Sequence, residues 1–138
     1  MITDPSLISG GDIRQARFIK LSTAADHTAL ESDANERIFG VSVDAAQDAP
    51  MPSADEDAAE AGDPFRYYGV GEECTVQVGS GGITRGALLK SDADGKAVLA
   101  ATTGATLQWV AAEAIESASE DELARVVVRS YPHYPALA

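Results

Sequence analysis

The chain has 138 residues, enough for one domain, and its 22 acidic and 10 basic residues give a formal net charge of −12. This balance disfavours binding to nucleic acid and to anionic membranes, because a strongly negative surface repels phosphate groups. The single cysteine, Cys74, cannot form an internal disulfide, which is typical of a reducing compartment. We find neither a signal peptide nor a run of roughly 18 apolar residues that would span a membrane, so we expect synthesis in the cytoplasm.

Short apolar runs with a period of two predict a sheet protein. Residues 1–15 predict an extended N-terminal arm, because Pro5 and a Gly-Gly pair interrupt any regular element. The candidate strands that follow are 17–21, 38–43, 64–69, 73–79, 87–91, 97–101, 108–116 and 123–129, the segment 108–116 also being compatible with a helix. Residues 130–138 contain two prolines and predict a C-terminal tail. The pattern predicts one all-β domain over 16–129, a small antiparallel β-barrel or β-tulip-like domain with little helix.

An acidic segment interrupts this pattern at residues 44–63. It contains seven acidic residues, two prolines and no basic residue. We predict a long exposed loop with room for one helical turn at 54–61. Long loops in compact domains are often functional, so this loop is a candidate contact surface.

Two parts of the chain echo each other. Lys20 in "FIKL" and Lys90 in "LLKS" lie 70 residues apart, as do Phe39 and Trp109. Arg66 and Arg125 lie 59 apart, as if the acidic segment were an insertion in the first half. Internal duplication and a chance echo of alternating strands both explain the spacing.

The stretch "KSDADGK" resembles a calcium loop at first sight. With Gly95 at the sixth position of such a loop, however, Lys90 stands at the first and Ala101 at the twelfth, where oxygen ligands are required. Asp-Gly between apolar runs is instead a strong hairpin signal. The stretch therefore predicts a turn.

No residues converge on a recognisable catalytic or metal site. Cys74 alternates with Val76 and Val78 and is expected to face the core. His27 and His133 have no cysteine or second histidine at ligand spacing. We therefore predict no catalytic residue, no metal and no cofactor.

Three aromatic residues, Tyr67, Tyr68 and Trp109, are predicted to be core or interface anchors. An alternative function uses the same three as a stacking surface in a small β-barrel carbohydrate-binding module. Exposure of their rings discriminates between the two interpretations.

Several segments, in order, resemble the capsid cement, or head decoration, proteins of tailed bacteriophages. These segments are "GGDIRQARFIKL", "IFGVSVDAA", "AGDPFRYYGVGEECTVQVG", "GALLKSDADGKAV" and "ELARVVV", and they cover about residues 10–129. Tyr67 stands where valine is common in that family, and the acidic loop is variable there. The order and spacing of the segments carry the resemblance.

The resemblance implies a structural virion protein without enzymatic activity. Such proteins bind the outer surface of the expanded capsid, bridge major capsid protein subunits and stabilise the shell against internal DNA pressure, often as homotrimers at three-fold positions. The residues we predict to contact the capsid or a neighbouring protomer are Ile2, Pro5, Leu7, Ile8, Ile13 and Arg14. Tyr67, Tyr68 and Trp109 are predicted to form the trimer interface.

Overall fold

The described part of the chain contains twelve strands and no helix. The computed structural model describes residues 2–43, 57–59, 61–62, 64–104 and 106–134. The strands are β1 (Ile2–Ser9), β2 (Ile13–Arg14), β3 (Phe18–Leu21), β4 (Thr28–Glu31), β5 (Gly40–Ser42), β6 (Asp57–Ala59), β7 (Pro64–Tyr68), β8 (Glu73–Gln77), β9 (Leu88–Ser91), β10 (Ala97–Leu99), β11 (Gln108–Ala114) and β12 (Leu123–His133). The all-β prediction is therefore confirmed.

The first half of the chain forms a closed barrel in the order β1-β4-β3-β5-β7. Strand β1 closes it, since β1 runs parallel to β4 at Ile8 and Ser9 and antiparallel to β7 at Ile2 and Thr3. The structure thus differs from the predicted arm over residues 1–15. Most of that segment is paired in the barrel, and β2 pairs with β6.

The second half forms a five-stranded sheet in the order β10-β9-β11-β12-β8. Its β9–β10 hairpin contains the predicted turn. Asp92 Oδ1 accepts hydrogen bonds from the amides of Asp94 (2.8 Å) and Lys96 (2.9 Å), and Gly95 has a φ of +76°. This is an Asx-type turn completed by a glycine in the left-handed region.

The two halves share one strand connectivity. When β1, β3, β4, β5 and β7 are replaced by β8, β9, β10, β11 and β12, the order of the first barrel becomes β8-β10-β9-β11-β12. Read as a ring, this is the order of the second sheet, in which β8 stands after β12. The closing contact is also shared, since Val78, just after β8, makes a parallel bridge to Ala97 in β10. The Gly10 amide donates to the Ala29 carbonyl (2.8 Å), and the Gly79 amide donates to the Ala97 carbonyl (2.7 Å). This agreement favours duplication over a chance echo. We call the halves the first and second barrels.

Two further segments differ from the predicted loop and tail. Within 44–63, Asp57–Ala59 forms strand β6 where a helical turn was considered, and Ala59 is buried. Most of that acidic segment lies outside the described residues. The predicted tail at 130–138 begins inside β12, where Tyr131 to His133 pair with β11. Pro132 is tolerated in this pairing because a proline at a sheet edge leaves the neighbouring ladder intact.

Consecutive side chains of β3 enter different cores, as the period of two requires. Ile19 packs in the first barrel with Leu7, Ile13 and Tyr67. Phe18 instead packs in the larger core of the second barrel, as does Val41 of β5. The outer face of the first barrel is therefore one wall of the second core, and the two barrels share packing.

Candidate functional site

A groove of about 1060 Å³ opens beside the first barrel and reaches the first residues of β11. The residues that line it include Lys20, Leu21, Leu30, Asn35, Glu36, Arg37, Ile38, Phe39, Tyr67, Val70, Trp109 and Ser130. Apolar and aromatic side chains therefore form most of its surface, with a few charged groups at one side. This combination is typical of binding surfaces.

Asn35 fixes the position of Trp109 in this groove. Its Nδ2 donates to the Leu107 carbonyl (2.8 Å), and its Oδ1 accepts from the Trp109 amide (2.9 Å). Its own amide donates to the Ser91 carbonyl (2.9 Å). Asn35 has a φ of +52°, a conformation that asparagine tolerates better than most residues. The connection between β4 and β5 in the first barrel thus holds the start of β11, a strand of the second barrel, in place.

The floor and rim of the groove differ in exposure. Phe39 and Tyr67 form a tilted ring pair on the floor, with centroids 5.4 Å apart. On the rim, Leu21 is 47% exposed and Val70 is 58% exposed. Large aliphatic side chains are often buried, so two at one groove indicate a contact surface.

Lys20, one of the charged residues that line the groove, forms ion pairs with two carboxylates of the same chain. Lys20 Nζ lies 2.8 Å from Glu36 and 2.9 Å from Asp33. The hydrogen bonds to Glu36 and Asp33 raise the pKa of Lys20 above its ordinary value. A partner of the groove would therefore meet apolar surface beside the internally paired Lys20 and the exposed Arg37.

Only part of the predicted capsid-contact set is available at the surface. Leu7 and Ile13 are buried in the core of the first barrel, so they stabilise the fold and do not present a contact surface. Ile8 is exposed, and Arg14 is partly exposed but bound to Glu31. The side chains of Ile2 and Pro5 lie outside the described residues.

The three predicted aromatic anchors separate in the structure. Tyr67 is 5% exposed and belongs to the core of the first barrel, and Tyr68 packs against the second core. Trp109 is partly exposed and lines the groove together with Tyr67. The three rings do not form one exposed stacking platform, which is what a carbohydrate-binding module on these residues requires.

Two further observations concern reactive and metal-binding residue types. Cys74 is buried, and burial among apolar residues makes a thiol less reactive. Within the described ranges, no group of three or more histidine, cysteine or acidic side chains is arranged to hold a metal ion. The same ranges contain no helix long and apolar enough to cross a membrane.

Sequence reasoning missed Leu21, Val70 and Asn35. Leu21 ends a strand whose alternation gives no sign of exposure, and Val70 stands in a Gly-Val-Gly turn that offers only a weak signal. Asn35 has the residue type expected for positive φ, but the hydrogen-bond partners of its side chain are more than 70 positions away. Only the fold brings these residues together.

The fold has a counterpart among solved structures. No family model and no curated protein matches the chain. The crystal structure of the head fiber gp8.5 N base in bacteriophage phi29 is similar, with a TM-score of 0.64 and 21% sequence identity. The likeness covers 92% of this chain and 95% of that chain. The two proteins share a fold.

Proposed function

We propose that this protein is a structural virion protein that binds the outer surface of an expanded phage capsid. In this role it bridges major capsid protein subunits and stabilises the shell against internal DNA pressure. The observation that carries the proposal is the fold, which matches the N base of a phage head fiber over nearly the whole of both chains. The order of segments resembling the capsid cement proteins supports it independently.

The charge of the protein suits this location. A net charge of −12 keeps the protein from binding packaged DNA, because the phosphate backbone repels it. A protein that binds only the assembled shell stabilises that state by mass action, without catalysis or a cofactor. The proposed role therefore needs a surface and no active site.

The groove is the surface we assign to the contact between neighbouring protomers of a homotrimer. Trp109 was predicted at that interface, and it lines the groove beside the exposed side chains of Leu21 and Val70. Aromatic residues flanked by aliphatic ones are enriched at the centres of protein interfaces. Ile8 and Arg14, on the β1–β2 side, remain candidates for contact with the major capsid protein.

Co-sedimentation tests the capsid contact. Purified expanded capsids that lack this protein, and unexpanded shells of the same phage, are mixed with increasing amounts of it. We expect saturable binding to expanded capsids at a stoichiometry set by three-fold positions. Absence of binding to either form would reject the proposal.

Val70→Glu tests the protomer contact in a separate experiment, on the isolated protein. A carboxylate at this exposed turn leaves the core untouched but opposes burial of the groove in an interface. Leu99→Glu is the matched control, since Leu99 is 44% exposed on β10 and does not line the groove. We expect Val70→Glu alone to abolish trimers in sedimentation equilibrium; equal behaviour of the two variants would remove the groove from the interface.

A further inference from the structure

A second, smaller pocket of about 310 Å³ lies where the two barrels meet. The connection from β2 to β3 and the end of β8 form it, and the two are joined by a hydrogen bond from the Gln77 amide to the Ala16 carbonyl (2.9 Å). Arg14, Arg17 and Gln77 line the pocket. Arg14 is already a candidate for the capsid contact, but the proposed function gives no role to Arg17.

Arg14 already has a complete carboxylate partner. Its Nε lies 3.2 and 3.1 Å from the two carboxylate oxygens of Glu31, and its Nη2 lies 2.9 Å from Oε1. This is side-on, bidentate pairing, in which the Nε–Nη2 edge of the guanidinium faces both oxygens. The hydrogen bond to Glu31 raises the pKa of Arg14 above its ordinary value.

Arg17 presents the same edge without such a partner. Its Nη1 donates to the Asp94 carbonyl (3.1 Å) and its Nη2 donates to Gln77 Oε1 (3.3 Å). Its Nε is buried and has no hydrogen-bond partner. Arg17 is 7% exposed and forms no ion pair within the described residues, and burial lowers its pKa.

The Nε–Nη2 edge of Arg17 therefore has a hydrogen-bond acceptor at Nη2 and none at Nε. One amide oxygen, from Gln77, stands where a carboxylate would place two. A buried cation and an unpaired N–H each cost free energy unless an anionic acceptor compensates them. Gln77 is only half-buried, and displacing its side chain from the guanidinium would break one further hydrogen bond, from its Nε2 to the Asp121 carbonyl (3.3 Å).

We propose that this pocket binds a carboxylate group, which displaces the Gln77 amide oxygen and pairs side-on with Nε and Nη2 of Arg17. The pairing would reproduce at Arg17 what Glu31 provides at Arg14. This inference is independent of the proposed capsid function. The carboxylate is supplied either by a small organic acid or by an acidic side chain of a protein partner.

The surroundings select a carboxylate over a phosphate. Asp94 Oδ1 lies 3.6 Å from Arg14 Nη2, and Glu31 holds the other side of that arginine. Asp121 also lines the pocket. These carboxylates repel a dianion more strongly than a monoanion.

Arginine side-chain NMR of the whole chain tests the proposal directly. The Nε–H signal of Arg17 is assigned by its loss in Arg17→Lys and followed while sodium acetate is added at constant ionic strength against sodium chloride. We expect a saturable shift of this signal with acetate and none with chloride. We expect inorganic phosphate to bind about tenfold more weakly than acetate, because the neighbouring carboxylates repel a dianion more strongly than a monoanion.

Two variants give the test its controls. Arg85→Lys alters an exposed arginine that lines neither this pocket nor the groove, so the acetate response of Arg17 should persist. Gln77→Glu places a carboxylate against Arg17 from within the chain. We expect it to shift the Nε–H signal without acetate, to abolish the acetate response and to raise the melting temperature.

Three results would overturn the proposal: equal shifts with acetate and chloride, phosphate binding as tight as acetate, or an acetate response that survives Gln77→Glu. A blocked peptide with one internal aspartate, compared with its asparagine analogue, distinguishes the sources. Tighter binding of the aspartate peptide than of acetate supports a protein side chain as donor. Binding of acetate alone supports a small acid.

Discussion

The two barrels have the same connectivity but are held together differently. Each barrel pairs its first strand with a distant last strand, β1 with β7 and β8 with β12, but the first barrel adds the β2–β6 pair and has a smaller core. The second is built on the β9–β10 hairpin and the long strands β11 and β12, around a larger valine- and alanine-rich core. The two barrels therefore share their strand pairing and the alternation of side chains along the strands, whereas their core residues differ.

The shared packing makes the comparison testable. Phe18 and Ile19 are neighbours in β3, yet each is fully buried in a different core. Variants at matched positions of the two barrels therefore show how far each barrel depends on the other.

Phe18→Ala should have the largest effect, because it removes a ring of the first barrel from the core of the second. We expect a loss of about 3–5 kcal/mol in the free energy of unfolding, the usual cost of deleting a buried phenylalanine. Urea unfolding followed by Trp109 fluorescence measures it. Ile19→Ala is the control for the first core, and both variants should unfold in one transition; a loss below about 1 kcal/mol for Phe18→Ala would contradict a shared core.

Gly40→Ala should destabilise the pairing of β5 with β7 in the first barrel. A Cβ at Gly40 would meet the Tyr68 carbonyl oxygen and would lie 3.0 Å from Tyr67 Cδ2, so β5 and β7 must separate. We expect a loss of about 1–3 kcal/mol, typical of overpacking. Thermal unfolding checks it against Gly11→Ala, where the nearest atom is 4.0 Å away; equal melting temperatures would contradict the close approach.

Asp92→Ala should weaken the β9–β10 turn of the second barrel. It removes the Oδ1 acceptor of two amide hydrogen bonds in the β9–β10 turn. We expect a loss of about 1 kcal/mol in unfolding free energy and faster amide exchange at Lys96. Asp92→Asn keeps an oxygen at the same place and should lose less; an equal loss would show that the acceptor is not what stabilises the turn.

Lys20→Met should have the smallest effect, and only at low salt. Lys20 pairs with Asp33 and Glu36, whereas Lys90, at the corresponding position of the second barrel, donates to the neutral Gln108. We expect a loss of at most about 1 kcal/mol for Lys20→Met, reduced by added salt. Lys90→Met should show no comparable salt dependence.

The pH dependence of this pairing has a defined sign. Because the pKa of Lys20 is raised on folding, its stabilisation is fully present below the ordinary lysine value of 10.5. It is lost as the pH rises through the higher value of the folded state. The stability difference between wild type and Lys20→Met should therefore shrink in alkaline solution; a difference that grows there would contradict the assignment.

Local patterns in the sequence were sufficient for much of the fold. The alternation of Cys74, Val76 and Val78 predicted their burial, which is confirmed. The Asp-Gly signal predicted the turn before β10, and the 70-residue offset between Lys20 and Lys90 marked equivalent strands. Each of these signals acts over a few residues.

The missed features depend on partners distant in the chain. Pro5 and Gly10 suggested an arm, but β1 is held by β4 and β7, which nothing near residues 2–9 reveals. Arg17 stands at the start of a strand, where a charged residue is common. Its burial follows from Gln77 and Asp94, which only the meeting of the two barrels brings to it.

The closure of the first barrel by β1 has a consequence for synthesis in the cell. Ile2 pairs with Tyr67, so the ribosome must add about 65 residues before that partner exists. At about 5–20 residues per second, β1 waits roughly 3–13 s with an unpaired edge. Its early protection must come from β4, which is made much sooner and pairs with Ile8 and Ser9. Slower translation between β4 and β7 would lengthen the exposure of that edge and favour aggregation of nascent chains.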